Sequence, residues 1–330
     1  MKDTFNREIN YLRVSVTDRC DLRCIYCMKE KMEFLPKSQI LSVEEINRIC
    51  SVFINLGIKK IRITGGEPLV RKGVPILLNY LGKKINNSNL EELTLTTNGT
   101  QLYKYAEMIK KNGIKRINVS LDSLDSKKYM KITRGGNLEQ VLDGINIAKK
   151  IGLKIKINTV ALKNINEDEF EDMVLWCKKM SFDLTFIEIM PMGMENETRI
   201  EQYYPLTKVR LQLEKKWQLE YIKYNSGGPA RYSIIKGTKQ KIGFITPLTN
   251  NFCDTCNRVR LTCTGRIYSC LGQNKYIDLR QALKKDKNNK ALKKLILESI
   301  LIKPEGHNFE ITNYNKYTPN LKRTMNVTGG

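Results

Sequence analysis

Six short strands alternate with helices from residue 9 to about residue 190, and this alternation limits the fold more than any other feature. The strands are predicted at 9–16, 60–64, 92–97, 116–122, 154–160 and 184–190. Strands that alternate with helices form parallel sheets with the helices packed outside. A sheet buried on both faces reads as nearly continuous apolar strands, and a closed eight-stranded barrel fills its interior with Val, Ile and Leu.

These strands have one apolar and one polar face, which matches neither of those folds. The apolar face comprises Leu12, Val14, Val16, Ile61, Ile63, Leu93, Leu95, Ile117, Val119, Leu121, Ile155, Ile157, Ile187 and Ile189. The polar face comprises Arg13, Ser15, Arg62, Thr64, Thr94, Thr96, Asn118, Ser120, Asp122, Lys156, Asn158, Glu188 and Met190. We therefore predict an α/β fold with an incomplete, TIM-like (β/α)6 barrel whose polar interior holds a ligand. A sheet with one solvated face is the alternative.

Two patterns predict where the helices between these strands begin and end. A Ser or Asn followed three residues later by Glu predicts capping boxes at 42–45 and 166–169. Glycine predicts helix ends at Gly57, Gly113 and Gly152.

The pattern changes after about residue 205, so we divide the chain into a barrel domain, 1–220, and a smaller α+β domain, 221–330. The second domain should cover the open side of the barrel. It contains a predicted hairpin that turns at Thr264 and Gly265, a helix around 278–297, and an irregular tail that ends in Gly329 and Gly330.

The chain carries 57 Lys and Arg against 34 Asp and Glu, a net charge of +23. A lysine-rich solvated surface explains such a charge, as does a polyanionic partner such as nucleic acid, a polyphosphate or an acidic protein. The lone histidine, His307, excludes catalytic schemes that need several histidines. No segment reads as a signal peptide or a transmembrane helix, so we expect a cytoplasmic protein.

Seven of the nine cysteines form two groups, which in a cytoplasmic protein indicates metal binding rather than disulfides. Cys20, Cys24 and Cys27 follow the first strand directly, at the end where such barrels carry their active site. A structural zinc site normally needs four ligands. Three thiolates instead suit a 4Fe–4S cluster with one iron left open.

Cys253, Cys256 and Cys270 form the second group, for which zinc and iron–sulfur are both open from the spacing alone. Cys263 could complete a four-cysteine site. Strand alternation places it on the face opposite Arg258 and Arg260, so we interpret it as a small core residue. Cys50 and Cys177, on helical stretches, receive the same interpretation.

The motifs around both groups resemble those of one family. CDLRCIYC matches the CxxxCxxC signature of the radical S-adenosylmethionine (SAM) superfamily, and GGEP follows the second strand. RVSVTDRCDLRCIYC, RITGGEPLVR, LTTNG, INVSLDSL, FCDTCNRVR and the terminal Gly-Gly together resemble the GTP 3′,8-cyclases, the radical SAM enzymes (molybdenum cofactor biosynthesis protein A) of molybdenum cofactor biosynthesis. The resemblance covers nearly the whole chain.

The resemblance implies two 4Fe–4S clusters, SAM as a cofactor and GTP as the substrate. It further implies a 5′-deoxyadenosyl radical that removes hydrogen from ribose C3′, so that C3′ attacks guanine C8. The product is (8S)-3′,8-cyclo-7,8-dihydroguanosine 5′-triphosphate, and the enzyme is a lyase that performs an early step of molybdopterin synthesis.

The resemblance also assigns roles to residues of this chain. The iron ligands are Cys20, Cys24, Cys27, Cys253, Cys256 and Cys270. The residues expected to contact SAM are Tyr26, Gly66, Ser120 and Met190. Those expected to contact GTP are Arg13, Arg62, Thr96, Lys156, Arg258 and Arg260. Catalysis involves Arg13, Arg258, Arg260, Gly329 and Gly330. Glycines 65 and 66 should let the backbone approach bound methionine closely.

The implied partners are an electron donor of the flavodoxin or ferredoxin type and a cyclic pyranopterin monophosphate synthase that receives the product. A homodimer is an arrangement that the resemblance allows; a membrane partner and nucleic acid are not expected. One rival is another radical SAM enzyme with an auxiliary cluster, such as a peptide-modifying maturase. A basic, zinc-containing nucleic-acid-binding protein is a second rival, but it leaves CxxxCxxC, GGEP and the polar interior unexplained.

Overall fold

The computed structural model of the chain describes residues 1–193, 201–285, 287–307, 309, 321 and 323–329. Its first part consists of six strands, each followed or preceded by helices, as predicted. They are β1 (Tyr11–Ser15), α1 (Val43–Asn55), β2 (Lys60–Thr64), α2 (Val74–Gly82), β3 (Glu92–Thr97), α3 (Leu102–Lys111), β4 (Arg116–Ser120), α4 (Ser126–Thr133), α5 (Leu138–Lys150), β5 (Lys154–Ala161), α6 (Phe170–Met180) and β6 (Asp183–Glu188).

The second part adds strands to both edges of the same sheet. Its elements are α7 (Leu206–Glu214), β7 (Leu219–Ile222), β8 (Arg231–Ile235), β9 (Lys241–Ile245), β10 (Arg258–Leu261), β11 (Arg266–Tyr268), β12 (Ile277–Asp278), α8 (Arg280–Lys285), α9 (Lys290–Leu301) and α10 (Met325–Thr328). The strand order is β12-β11-β10-β1-β2-β3-β4-β5-β6-β9-β8-β7. β10 pairs with β1 and β9 with β6, both in parallel. The fold is therefore an open parallel barrel, and the division at residue 220 stays a prediction.

The capping box predicted at 42–45 is confirmed, whereas the one predicted at 166–169 is not formed. Ser42 and Glu45 form the complete capping box of α1, and the backbone turns with a positive φ at Gly57. Asn166 caps nothing with its side chain. Its amide instead donates to the carbonyls of Asp122 and Val160, at 2.7 and 2.9 Å. This residue therefore ties two barrel strands together, a tertiary role that takes precedence over the local pattern.

The single helix predicted over 278–297 is two helices, α8 and α9. Asn289 lies between them with φ 64°, a left-handed conformation that interrupts a helix. The predicted hairpin at Thr264 and Gly265 is confirmed, since β10 and β11 pair in antiparallel fashion. None of the helices in the described ranges is long and apolar enough to span a membrane.

The register of the parallel strands gives each side chain its face. In the strand register, Arg13 lies opposite Arg62 and Thr96 lies opposite Asn118. These four residues share the interior face, as predicted. The opposite faces of β1 to β5 pack against the helices in one hydrophobic core. We call the interior face, which lines the cavity described below, the lumen face.

In β6 the predicted faces of Ile187 and Glu188 are wrong, whereas Met190, beyond the end of the strand, lines the cavity described below. Register pairs Ile187 with Val160 on the lumen face and Glu188 with Ala161 on the outer face. Glu188 is fully buried there, and its carboxylate accepts hydrogen bonds from the backbone N–H groups of Leu206 and Leu248 and from the N–H and hydroxyl of Thr249. A buried carboxylate with four donors thus fastens the segment after β9 to the barrel.

An ionic layer closes the amino end of the barrel. The Glu92 carboxylate pairs with Lys60 at 2.7 Å and also with Arg116. Both cations donate to the carbonyl of Ser226, each at 2.7 Å. Ser226 belongs to the β7–β8 connection, so this loop forms the floor beneath the lumen.

Replacing Glu188 with Ala should lower the free energy of unfolding by about 2 kcal/mol, because one buried and three partly buried donors lose their acceptor. Thermal melting of the iron-loaded chain measures the effect. Glu220→Ala, which removes an exposed carboxylate on β7, is the control and should change little. An unchanged melting temperature for Glu188→Ala would contradict the proposed anchoring.

Candidate active site between two cysteine groups

The first cysteine group lies in the loop after β1, at the carboxyl end of the barrel strands. The N–H of Ile25 donates to the carbonyl of Ile132 at 2.9 Å, which fastens the loop to α4. Within the loop, the N–H of Cys27 donates to the carbonyl of Cys24 at 2.9 Å. The loop therefore holds Cys24 and Cys27 in one short, hydrogen-bonded turn.

The glycine motif after β2 lies directly against this loop. The N–H of Gly66 donates to the carbonyl of Thr17 at 2.7 Å, and that of Glu67 to the carbonyl of Arg19 at 2.8 Å. A Cβ at Gly66 would lie 2.4 Å from the Arg19 oxygen. Glycine is thus required at position 66 because the backbone there lies against the backbone of Arg19. Contact of Gly66 with SAM stays a prediction.

Asn98, in the LTTNG segment, joins the same loop to β3. Its backbone N–H donates to the Glu67 carboxylate at 2.6 Å. Its side-chain amide donates to Asp21 at 2.7 Å and to the Cys20 sulfur at 3.7 Å. These contacts explain why the motifs around the first group occur together.

Acidic groups surround these thiols. Burial and the nearby Asp122 carboxylate raise the pKa of Cys24 well above its ordinary value. Burial and Glu67 raise the pKa of Cys20. Such thiols ionise only when a cationic centre compensates their charge, as a coordinating metal does. The donor set therefore fits an iron–sulfur cluster.

The second cysteine group stands in a basic environment. Cys253 and Cys256 precede β10, and Cys270 follows β11. Burial opposes ionisation of Cys256, but the charges of Arg258 and Lys303 outweigh it and lower the pKa of this thiol to about 6. The Cys256 sulfur accepts hydrogen bonds from Arg258 at 3.7 Å and from Lys303 at 3.5 Å.

Neither group has the geometry of a single-ion site. Among the described residues, no three Cys, His, Asp or Glu side chains converge on a point where one metal ion could bind. The ligands of a cluster bind different irons and stand further apart, so three thiols with a basic surround fit a cluster at the second group too. Cys263 is fully buried away from the cavity, in keeping with its interpretation as a core residue.

A cavity extends from the second cysteine group to residues next to the first group, although Cys20, Cys24, Cys27 and Gly66 do not line it. Tyr26 and Asp122 face it from the first group, and the Tyr26 hydroxyl donates to the Asp122 carboxylate at 2.7 Å. The three cysteines of the second group line the opposite side. Of the other predicted site residues, those that line the cavity are Arg13, Arg62, Thr96, Ser120, Lys156, Met190, Arg258 and Arg260.

Four cations of this cavity form no ion pair within the described residues, unlike Lys60 and Arg116 beneath them. Among the described residues, Arg62, Lys156, Arg258 and Arg260 form no ion pair, and all are at least nine-tenths buried. Burial, then repulsion by Arg62, lowers the pKa of Lys156 well below its ordinary value. Burial, then repulsion by Arg258, lowers that of Arg260 to about 10. Buried like charges of this kind require an anionic partner.

The chain end reaches this basic cluster. The Arg260 guanidinium donates to the carbonyl of Gly329 at 2.6 Å. Gly329 has φ 72°, and a Cβ there would lie 2.3 Å from the Thr64 methyl carbon, so only glycine fits. Gly330 lies outside the described residues.

Several residues of the site carry no signal in the sequence. Lys303 and Arg7, each buried, contact the second cysteine group from segments far from it in the chain. His307 and Phe309 line the cavity beside it. Only the burial of their charged side chains marks Lys303 and Arg7 as site residues, and no sequence pattern reveals that burial.

Comparison with known proteins assigns the chain and its fold to a class. The family model of the radical SAM superfamily matches residues 14–177, and that named Molybdenum Cofactor Synthesis C matches residues 182–309. The crystal structure of Streptococcus suis SuiB shares the fold, with a TM-score of 0.63 and 17% identity over 98% of this chain and 78% of that chain. The same protein bound to S-adenosylmethionine gives 0.62 and 19%, over 85% and 64%. The class is that of the radical SAM enzymes, which use SAM and an iron–sulfur cluster.

Relatives that match over the full length of this chain identify the family within that class. The GTP 3′,8-cyclase of Rhizobium etli (strain CIAT 652) is 53% identical over 330 residues, which is 100% of this chain and 94% of the relative. That of Mesorhizobium japonicum is 52% identical over 100% of this chain and 99% of the relative. The chain belongs to the GTP 3′,8-cyclase family.

Inorganic triphosphate should raise the melting temperature of the chain, because it supplies the negative charge that the cavity cations lack. At 100 times its dissociation constant, a ligand of the folded state contributes about 2.7 kcal/mol of stability. Arg62→Met should bind triphosphate more weakly and show a smaller rise. Lys59→Met, which removes an exposed lysine paired with Glu91 next to β2, is the control. Equal rises for both variants would show that the lumen face does not bind the phosphates.

Proposed function

We propose that the chain converts GTP to (8S)-3′,8-cyclo-7,8-dihydroguanosine 5′-triphosphate, an early step of molybdenum cofactor biosynthesis. The observation that carries the proposal is one cavity lined by Tyr26 and Asp122 beside the first cysteine group, by the second cysteine group, and by buried cations without carboxylate partners. Full-length similarity to GTP 3′,8-cyclases supports the same reaction.

Two 4Fe–4S clusters are proposed, with the first held by Cys20, Cys24 and Cys27 and the second by Cys253, Cys256 and Cys270. The first cluster, when bound and reduced, supplies the electron that cleaves a C–S bond of SAM. Tyr26, Gly66, Ser120 and Met190 would hold SAM between that cluster and the lumen. Asp122 would orient Tyr26 through the hydrogen bond between them.

The triphosphate is proposed to bind the cations of the lumen face. Guanidinium groups offer paired donors to phosphate oxygens, and Arg13, Arg62, Arg258 and Arg260 come from three neighbouring strands, β1, β2 and β10. Thr96 would contact GTP beside Arg62, since its hydroxyl already accepts from that side chain at 3.0 Å. Lys156 adds a further charge. A neutral peptide substrate would leave these charges buried without a partner, which disfavours the maturase alternative.

The reaction also needs partners that lie outside the chain. We propose a flavodoxin or ferredoxin as the electron donor, because such acidic proteins suit a chain of net charge +23. The product would pass to a cyclic pyranopterin monophosphate synthase. The proposed ligands are free thiols, which require a reducing compartment, and this favours the cytoplasm. A homodimer stays a prediction.

The function is tested with GTP deuterated at C3′. Anaerobic, iron-loaded protein is incubated with SAM, a reductant and the labelled GTP, and both products are analysed by mass spectrometry. Transfer of deuterium to 5′-deoxyadenosine together with a cyclised nucleotide is the expected result. Cleavage of SAM without transferred deuterium or cyclised nucleotide would overturn the proposal.

The two-cluster assignment predicts about eight irons and eight sulfides per chain. Cys24→Ala should lose about half of the iron and all SAM cleavage. Cys256→Ala should lose about half of the iron and retain SAM cleavage without product. Cys263→Ser, the matched control, should keep both clusters. Zinc at the second group, or loss of iron from Cys263→Ser, would show that the ligand assignment is wrong.

The tail is proposed to act in catalysis, where Gly329 and Gly330 help to organise the active site. Gly329→Ala should largely abolish product formation, because a methyl group would collide with Thr64 and displace the tail from Arg260. Iron content and melting temperature should change little, since the tail residue buries no side chain. Val327→Ala, two residues earlier, is the control. Full activity of Gly329→Ala would refute this role.

A further inference from the structure

Lys303 follows α9 and is almost completely buried, with 3% of its surface exposed. Its ammonium makes three hydrogen bonds. It donates to the carbonyl of Ser269 at 2.6 Å, to the carbonyl of Arg258 at 3.0 Å and to the sulfur of Cys256 at 3.5 Å. An ammonium has three donors, and all three have an acceptor here.

These bonds connect the segments that carry two of the cysteines. Arg258 begins β10 two residues after Cys256, and Ser269 immediately precedes Cys270. One side chain therefore sets the distance between the two cysteine-bearing segments. A thiol pair held in this way is organised before any metal centre binds.

Arg7 extends the same arrangement to the third cysteine. Its guanidinium donates to the carbonyl of Cys253 at 2.8 Å and to those of Pro304 and Glu305, each at 2.6 Å. The backbone directly after Lys303 is thus fixed to the backbone of Cys253. The Asp3 carboxylate, 2.6 Å from the Arg7 guanidinium, neutralises that cation.

Lys303 has no such carboxylate. In the described part of the chain it forms no ion pair, and of its three acceptors only the sulfur of Cys256 is a group that can carry a negative charge. Burying an ammonium without a compensating negative charge is costly. An anionic iron–sulfur cluster with thiolate ligands supplies this compensation.

We propose that Lys303 is a positioning residue of the second cluster, which it holds by fixing Cys256 relative to Cys270 and makes easier to reduce through its charge. This inference rests on the proposed function, in which the second cysteine group binds a cluster. Hydrogen bonds to the sulfurs and nearby charge are among the factors that set cluster potentials. A positive charge stabilises the more negative, reduced form and therefore raises the reduction potential.

The test compares Lys303→Met, which removes the charge and the donors, with Lys303→Arg, which keeps both. Lys294→Met on α9 removes an exposed lysine and is the matched control. Each full-length protein is loaded anaerobically with iron and sulfide, its iron is counted, and both clusters are titrated with reductant while their paramagnetic resonance signals are recorded. A Cys24→Ala background, with the second cluster alone, assigns the signals.

Lys303→Met should either lose the second cluster or make it harder to reduce. In the second case, the ratio of oxidised to reduced cluster at a fixed potential should rise about tenfold, which corresponds to a reduction potential about 59 mV lower for a one-electron couple. Lys303→Arg and Lys294→Met should retain the cluster near its original potential, and the first cluster should not change. The inference is overturned if Lys303→Met keeps its iron and its potential, or if Lys303→Arg behaves like Lys303→Met. An unsubstituted chain with only about four irons would instead refute the two clusters of the proposed function.

Discussion

The structure depends on an imbalance of charge inside an open barrel. Arg62, Lys156, Arg258 and Arg260 are buried on the lumen face, and none of them forms an ion pair within the described residues. One layer below, Lys60 and Arg116 both pair with the Glu92 carboxylate. Cations with a structural role in this fold are thus neutralised by a carboxylate. Because like charges cost free energy when buried, a polyanion should stabilise the upper layer, and the triphosphate of the proposed substrate is one.

The two cysteine groups differ in the same electrostatic terms. Burial and then nearby carboxylates raise the pKa of Cys20 and Cys24 in the first group. In the second group burial raises the pKa of Cys253, whereas Arg258 and Lys303 outweigh burial and lower the pKa of Cys256. An acidic surround favours a low reduction potential, which suits an electron donor to SAM, and a basic surround favours a higher one. The proposed roles of the two clusters are thus consistent with the charges that face them. The cavity between them brings SAM and the nucleotide together.

Much of this arrangement could be predicted from the sequence, because strand alternation and helix caps are local. The faces of β1 to β5 and the cap at Ser42 follow from neighbouring residues alone. β6 was assigned to the wrong face because apolar residues occur on both sides of it, and only pairing with β5 decides between them. Asn166 has the local pattern of a cap but is used for a tertiary contact. Lys303 is indistinguishable from surface lysines until the fold buries it.

The central claim is that buried cations of the lumen face recognise the phosphates of the nucleotide. Calorimetric titration of the anaerobic, iron-loaded chain with GTP, GDP and guanosine at one ionic strength tests it most directly. The account predicts that affinity falls with each phosphate removed and that the difference shrinks as salt is added, because screening weakens charge recognition. Equal affinity for GTP and guanosine would contradict it.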